Sequence, residues 1–271
     1  MSTRSCPLCG GTRLRPVGTV IAGTVSACRD CGIGWVGEQA SFEDEVYDAD
    51  FFGVFDDAAY LSARLALFDR HLEALDRLRP SRGRLLDVGA ALGDFVARAR
   101  ADRWDAIGLE PSTYAAAAAA TRGVQVLNDT LDSEALGAGS FDAVHLSHVL
   151  EHVPDPRSTL TRCHELLMPG GVLALEVPNE LTNLFKRTRA VLHRSTEVDQ
   201  LTPEHVWFFT PRSLSRVVQQ AGFSVELLRT ANVTPLASEV ILGGVVKHLI
   251  DAMSRRTDTG EVVELYALRR D

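Results

Sequence analysis

Lysine is almost missing from this chain: of its 28 basic residues only Lys186 and Lys247 are lysines, the rest being arginines. Its 36 acidic residues give a net charge of −8, so a broad basic face for nucleic acid is not expected. No apolar run reaches the roughly 18 residues needed to cross a bilayer. The opening Met1-Ser2-Thr3-Arg4-Ser5-Cys6-Pro7 lacks the apolar stretch of a signal peptide, so a cytoplasmic protein with no membrane partner is the expectation. Cysteine is scarce as well. Five in 271 residues argue against a disulfide framework in such a compartment. The 45% hydrophobic and 24% charged content excludes a disordered chain, a collagen-like fibre and a coiled coil. The length suits one large domain, or a medium domain with a small module.

Four of the five cysteines are not scattered. Cys6-Pro7-Leu8-Cys9-Gly10 and Cys28-Arg29-Asp30-Cys31-Gly32 form two C-x2-C-G knuckles, the spacing of a four-cysteine zinc ribbon. Each knuckle brings two thiolates to one ion, and the glycine permits the turn that aims backbone N–H groups at sulfur. Short strands are expected over Thr12–Val17 and Val20–Ala27. Some forty residues bury too little to fold alone, so a metal staple is physically expected. Four thiolates leave no open position, which makes the zinc structural and its ligands Cys6, Cys9, Cys28 and Cys31. Cys163 stands apart in a helical stretch and reads as a buried core thiol.

Residues 1–40 are thus a zinc ribbon, and 41–82 read as a helical connector or lid. Leu61, Leu65, Phe68, Leu72, Leu75 and Leu78 recur there at helical spacing behind the acidic, aromatic segment Phe42–Phe55. From residue 83 to 271 strand-length apolar runs alternate with helices. Strands are expected at Arg84–Val88, Ala106–Leu109, Val124–Leu127, Ala143–Ser147, Val172–Val177, Phe223–Leu228 and Val262–Leu268. Helices are expected at Gly93–Ala101, Ser112–Thr121, Pro156–Leu167 and Pro211–Ala221. Such alternation predicts an α/β, Rossmann-like seven-stranded sheet, mostly parallel and covered on both faces. Its ligand belongs at the carboxyl ends of the strands.

The first of these strands runs into Leu86-Asp87-Val88-Gly89-Ala90-Ala91-Leu92-Gly93. Glycines let a ligand approach the backbone, and the next helix offers its positive end. The G-x-G-x-x-G of a nicotinamide site is absent. Asp87 at the strand tip suits a ligand carrying an ammonium better than a pyrophosphate. Glu110 ends the next strand, where a carboxylate can accept both hydroxyls of a ribose.

These segments, with Ser140–Pro156 (including Leu150-Glu151-His152-Val153) and Leu167-Met168-Pro169-Gly170-Gly171, resemble the class I S-adenosylmethionine-dependent methyltransferases. The likeness covers about residues 83–230. Glu151-His152 and the later His205-Val206-Trp207-Phe208-Phe209-Thr210 resemble the branch of ubiquinone-type O-methyltransferases and sugar methyltransferases. The ribbon is similar to that of sugar C-methyltransferases, which usually carry a large additional C-terminal domain; no such domain is expected within these 271 residues. Ala91 stands where the family's loop usually has glycine. The resemblance implies that Asp87, Gly89 and Gly93 hold the methionine end of S-adenosylmethionine and that Glu110 takes its ribose. It places Asp129 and Thr130 near the adenine, His148 in the methionine pocket, and Tyr47 or Tyr60 as a closing aromatic.

Methyl transfer needs an oriented acceptor and, for a hydroxyl or acidic carbon, a base; histidine suits that near neutral pH. His152, with Glu151 beside it, and His205 are the candidates. The stretch around 180–205 carries Lys186, Arg187, Arg189, His193 and Arg194, which reads as an acceptor-binding insertion able to fork onto a phosphate. The expected partner is therefore a small-molecule acceptor of anionic or nucleotide-linked type, and nucleic acid is not expected. The expected activity is O-methylation of a sugar or natural-product biosynthetic intermediate. Three rivals remain: a sugar C-methyltransferase, a zinc-ribbon RNA methyltransferase, and a non-catalytic zinc-ribbon interaction protein.

Overall fold

The computed structural model describes residues 4–37, 58–183, 196–232, 254 and 256–271. The segment Phe42–Phe55 with Tyr47, the side chain of Tyr60, and the cations from Lys186 to Arg194 lie outside these described residues. Two sheets organise the chain. The larger is built from β4 (Arg84–Val88), β5 (Asp105–Leu109), β6 (Val126–Leu127), β7 (Phe141–Ser147), β8 (Leu167–Pro178), β10 (Phe223–Ala231) and β11 (Val262–Arg269). Its order is β10-β11-β8-β7-β4-β5-β6. Neighbours from β6 to β8 are parallel, and β11 runs antiparallel to both β8 and β10. This is the seven-stranded sheet expected from the alternation of the sequence.

The central strands are apolar along nearly their whole length because helices cover both faces. Leu85, Leu86, Ala143, Val144, Leu173 and Leu175 are fully buried. The helices start where their caps dictate. The helices covering this sheet are α1 (Ala58–Leu78), α2 (Asp94–Ala101), α3 (Thr113–Thr121), α4 (Pro156–Leu166) and α5 (Pro211–Gln220). Ser112 accepts the N–H of Ala115 to open α3, and Asp155 followed by Pro156 opens α4. Thr210 and Ser213 form a reciprocal capping box ahead of α5. The connector's helix is α1, which packs Phe68, Leu72 and Leu75 against the sheet. Cys163 is fully buried in α4, and burial pushes its thiol up to about 12.

Three expectations shift. The run Val124–Leu127 narrows to a two-residue edge strand, and the strand expected at Val172–Val177 begins at Leu167. In the ribbon the expected break before Val20 falls later: β1 is Leu14–Val20 and β2 is Gly23–Cys28, with Val20 facing Gly23 across a two-residue turn. The register slips between Pro16 and Gly18, and that bulge lets the first strand continue past the proline.

The ribbon does not close on itself. After β3 (Gly34–Val36) its sheet takes a fourth strand, β9 (Trp207–Phe208), from far along the chain. The Val36 and Ala22 N–H groups donate to the carbonyls of Val206 and Pro203. Arg15 pairs with both oxygens of Glu197 at 2.6 and 2.7 Å, and Arg157 donates to the Leu8 carbonyl. One apolar cluster runs from Cys6, Leu8, Ile33 and Trp35 through Leu181 and Phe208 into the larger sheet.

Candidate active site

Asp87 and Glu110 end adjacent parallel strands and are both buried. Between them runs the turn after β4, where Gly89 (φ 70°) and Gly93 (φ 79°) take the left-handed conformation. A Cβ on Gly89 would lie 2.5 Å from a methyl of Val149, so side chains are excluded there on two counts. Ala91 also sits at positive φ, 48°, a conformation that favours glycine. Its N–H donates to Glu110 Oε2 at 2.9 Å, while the Ser112 N–H donates to Oε1 at 2.9 Å. Burial raises the Glu110 carboxyl above its ordinary range against these two hydrogen bonds. Two buried acids and a turn whose Gly89 and Gly93 leave no room for a side chain fit the ammonium and ribose of S-adenosylmethionine.

Asp129 and Thr130 follow β6 on the exposed edge, and the Asp129 carboxylate accepts the Thr130 N–H at 2.7 Å. They are on the same side of the sheet as Glu110, whose own N–H bonds to the Leu127 carbonyl. His148 takes a positive φ of 56° just past β7 and keeps 45% of its side chain exposed. Its Nδ1 lies 3.3 Å from Glu151 and its Nε2 3.1 Å from Glu176. Burial opposes its protonation, but these two carboxylates prevail and raise His148 to about 10. Burial would raise Glu151, yet His148 holds it below the usual carboxylate range.

Glu151 was expected to orient His152; its carboxylate instead meets His148, and no hydrogen bond joins it to His152. Geometry explains the change: residues three apart in this turn, 148 and 151, face each other, whereas adjacent side chains diverge. His152 packs edge-on against His205, ring centroids 4.7 Å apart. Their ring nitrogens and a Glu151 oxygen all lie within 4.8 Å. Burial lowers the His152 pKa, with Glu151 pulling the other way. His205 is anchored: its Nδ1 is 2.8 Å from Glu180 Oε2, while Glu180 Oε1 accepts from the Thr202 N–H and hydroxyl. The Val206 and Trp207 N–H groups bond to the Glu151 carbonyl, and Trp207 Nε1 donates to the Val153 carbonyl. The two candidate histidines, 53 positions apart, are thereby clamped together.

Sequence reasoning missed His71, His145, Glu176 and Glu180, all nearly or fully buried. A signal was present for two of them. His145 and Glu176 interrupt otherwise apolar central strands, where an unpaired polar group is costly. His71 and Glu180 carry no such mark, since a helix and a strand end tolerate polar residues.

The four ribbon thiols converge, with Cys6–Cys31 and Cys9–Cys28 sulfurs 3.7 and 3.6 Å apart and all four within 4.8 Å. The Gly11 and Asp30 N–H groups point at Cys9 and Cys28 sulfurs. Cys6, Cys28 and Cys31 are buried without a disulfide. A tetrahedral zinc fits this donor set.

Strand order, paired acids and glycine cradle together define an S-adenosylmethionine-dependent methyltransferase. Residues 59–228 match the methyltransferase-domain family, and the chain belongs to it. Among curated relatives, the ubiquinone biosynthesis O-methyltransferase of Xanthomonas axonopodis pv. citri (strain 306) is 36% identical over 162 residues, 55% of this chain and 66% of that one. The enzyme of the same name from Psychrobacter arcticus (strain DSM 17307 / VKM B-2377 / 273-4) is 35% identical over 167 residues, covering 56% and 63%. The chain thus spans slightly less than two thirds of these relatives. The fold is similar to that of an S-adenosylmethionine-dependent methyltransferase from Archaeoglobus fulgidus (TM-score 0.58, 17% identity, 82% of this chain and all of that one). It is also similar to a methyltransferase from Thermotoga maritima (TM-score 0.57, 21% identity, 84% of this chain and all of that one). No described helix is long and apolar enough to cross a membrane.

Proposed function

We propose that this methyltransferase O-methylates a small hydroxylated acceptor, a sugar or natural-product biosynthetic intermediate, and that His152 is its general base. The observation that carries this reading is the clamped pair His152–His205. The cofactor supplies an electrophilic methyl, so the chain itself must orient an acceptor oxygen and take its proton. Burial favours neutral imidazole at His152, the form that accepts a proton. His205, held by Glu180, gives that ring a fixed wall and a second polar group for the acceptor. Asp129 and Thr130 are assigned to the adenine side and His148 to the border between cofactor and acceptor. The relatives named for an O-methyltransferase activity support oxygen as the methylated atom. An anionic, nucleotide-linked acceptor remains the proposal for the basic stretch around 180–205.

The ribbon zinc is proposed to be structural, held by Cys6, Cys9, Cys28 and Cys31 in a closed site. The test is an S-adenosylhomocysteine release assay run in parallel with nucleotide sugars, phenolic acceptors and total RNA. Turnover with a hydroxylated small molecule, lost in His152→Ala, is expected. Turnover with RNA alone would overturn the acceptor class, and methyl recovered on carbon would overturn the choice of oxygen.

A further inference from the structure

Behind the site runs a file of acids and imidazoles, all buried except the half-exposed His148: Asp87 (β4), His145 (β7), His71 (α1), Glu176 (β8), His148 and Glu151 (after β7). The successive contacts are 2.7, 2.9, 3.4, 3.1 and 3.3 Å. The first two are hydrogen bonds and the other three are close approaches of an imidazole nitrogen to a carboxylate oxygen; each joins two atoms that carry lone pairs, so each is relieved by one proton between them. Three neutral imidazoles supply three protons for five contacts. The arithmetic is visible at its weakest joint. If His145 Nδ1–H donates to Asp87, then His71 Nδ1–H must donate to His145 Nε2, and His71 Nε2 is left facing Glu176 with a lone pair. His71 Nε2 and Glu176 Oε2 are buried and meet no hydrogen-bond partner among the described residues. A proton shared at that joint resolves both.

We propose that this file stores protons beyond those of its neutral imidazoles, and that His71 links their number to the charge of the ligand bound beside Asp87. The inference rests on the S-adenosylmethionine reading of Asp87. A cation arriving there lowers the file's affinity for its extra protons, and the half-exposed His148 at the far end is where one can leave. His148 is thereby left able to accept a proton when the sulfonium form of the cofactor is present, and is reprotonated when the neutral thioether remains. His71 and His145 are positioning residues in this scheme.

The charges that face this joint from the neighbouring elements are Glu264, whose carboxylate lies within 4.8 Å of His71 and Glu176, and the two arginines that pair with it. Glu264 on β11 is answered by Arg70 of α1 and Arg229 of β10, both at 2.6 Å. The neighbouring Tyr266 hydroxyl is kept protonated by burial and by Glu264. On the cofactor side Glu110 acts on Asp87 only through space, its oxygens being taken by backbone N–H groups. At the acceptor end His152, His205 and Glu180 form a separate pair of contacts beside Glu151. Two directions favour extra protons near His148: paired carboxylates raise it, and its and His71's contacts lower Glu176 despite burial; at His145 burial prevails over Asp87 and keeps the ring neutral.

The experiment is calorimetry of S-adenosylmethionine and S-adenosylhomocysteine binding in buffers of different ionisation enthalpy, between about pH 7 and 9, which counts protons exchanged. The two ligands differ in the sulfonium charge, and comparing wild type with His71→Asn cancels the ligands' own titration. Wild type is expected to release about 0.3 to 1 proton more with the sulfonium ligand than His71→Asn does, relative to the thioether. Glu176→Gln approaches the same joint from the other strand and should give the same loss if His71→Asn does not fold. Equal proton counts in wild type and variants overturn the inference while leaving the cofactor reading intact. Binding of neither ligand would overturn the cofactor reading and this inference with it.

Discussion

Glu110 Oε2 accepts the N–H of Ala91 at 2.9 Å, so the acid at the tip of β5 holds the left-handed residue of the turn after β4. One carboxylate therefore shapes the turn and is also the group proposed to receive the ribose. The alanine keeps the backbone cost of a left-handed L-residue, about 1–2 kcal/mol.

That cost makes the first prediction. Ala91→Gly removes the left-handed penalty but loosens the unfolded chain by about 0.5–1 kcal/mol, so stability should stay level or rise by up to about 1 kcal/mol. Ala91→Val, β-branched at the same φ, should destabilise by more than about 1 kcal/mol. Urea unfolding of the pair checks both signs; a stable valine variant would show that the turn relaxes.

Glu110→Ala should weaken S-adenosylhomocysteine binding by about 1.5–3 kcal/mol, the scale of hydrogen bonds to a charged group. The pH dependence has two opposite arms. Burial raises the Glu110 pKa in the folded protein, so the fold binds that proton more tightly than the unfolded chain, and acidification stabilises the fold at this residue. The same protonation removes the ionised acceptor, so affinity should fall as pH drops, before glutamate's ordinary value of about 4.3 is reached. Titration calorimetry from neutral pH downward would read it, and a flat profile would take Glu110 out of the ligand's reach.

His152→Ala should leave cofactor affinity unchanged and lower kcat by about 10²–10⁴-fold. Glu180→Gln keeps the shape of the contact to His205 and removes its charge, so a smaller loss in kcat is expected. Near-normal turnover in His152→Ala would pass the role of base to His205.

Metal analysis of the purified protein should find one zinc per chain, and Cys28→Ser should lose it. Because β9 shares the ribbon's sheet, the loss should reach the main domain, lowering stability by about 2 kcal/mol or more, roughly 4–8 °C of Tm. A metal-free chain with unchanged Tm in chelator would refute the site.

Gly34→Val tests the seam without touching a cysteine. A Cβ there would come within 3.0 Å of Leu181 Cδ1 and 3.1 Å of Phe208 Cβ. Overpacking of this kind costs about 1–3 kcal/mol. Zinc should be retained while exchange of the Val206 and Trp207 amide protons quickens.

The sequence by itself determined the seven-stranded sheet and the clustering of four cysteines, and it placed acids at the tips of two consecutive strands. Those features are local: alternating apolar runs, two cysteine knuckles, and acids at the tips of consecutive strands, each readable within a few residues. It did not reveal that Trp207 and Phe208 complete the ribbon's sheet, because a two-residue edge strand has no periodicity to detect. Nor could it join His71 to His145 and Glu176, or His205 to Glu180 and His152. Those contacts cross from helix to strand or from one loop to another, and a side chain's partner across such a gap depends on how the elements pack. The misplaced partner of Glu151 has the same origin: adjacency in sequence suggested His152, whereas the turn's geometry turned the carboxylate to His148. Only the tertiary structure could decide which buried charges meet, since a buried acid must find a proton or a donor wherever packing leaves one within reach.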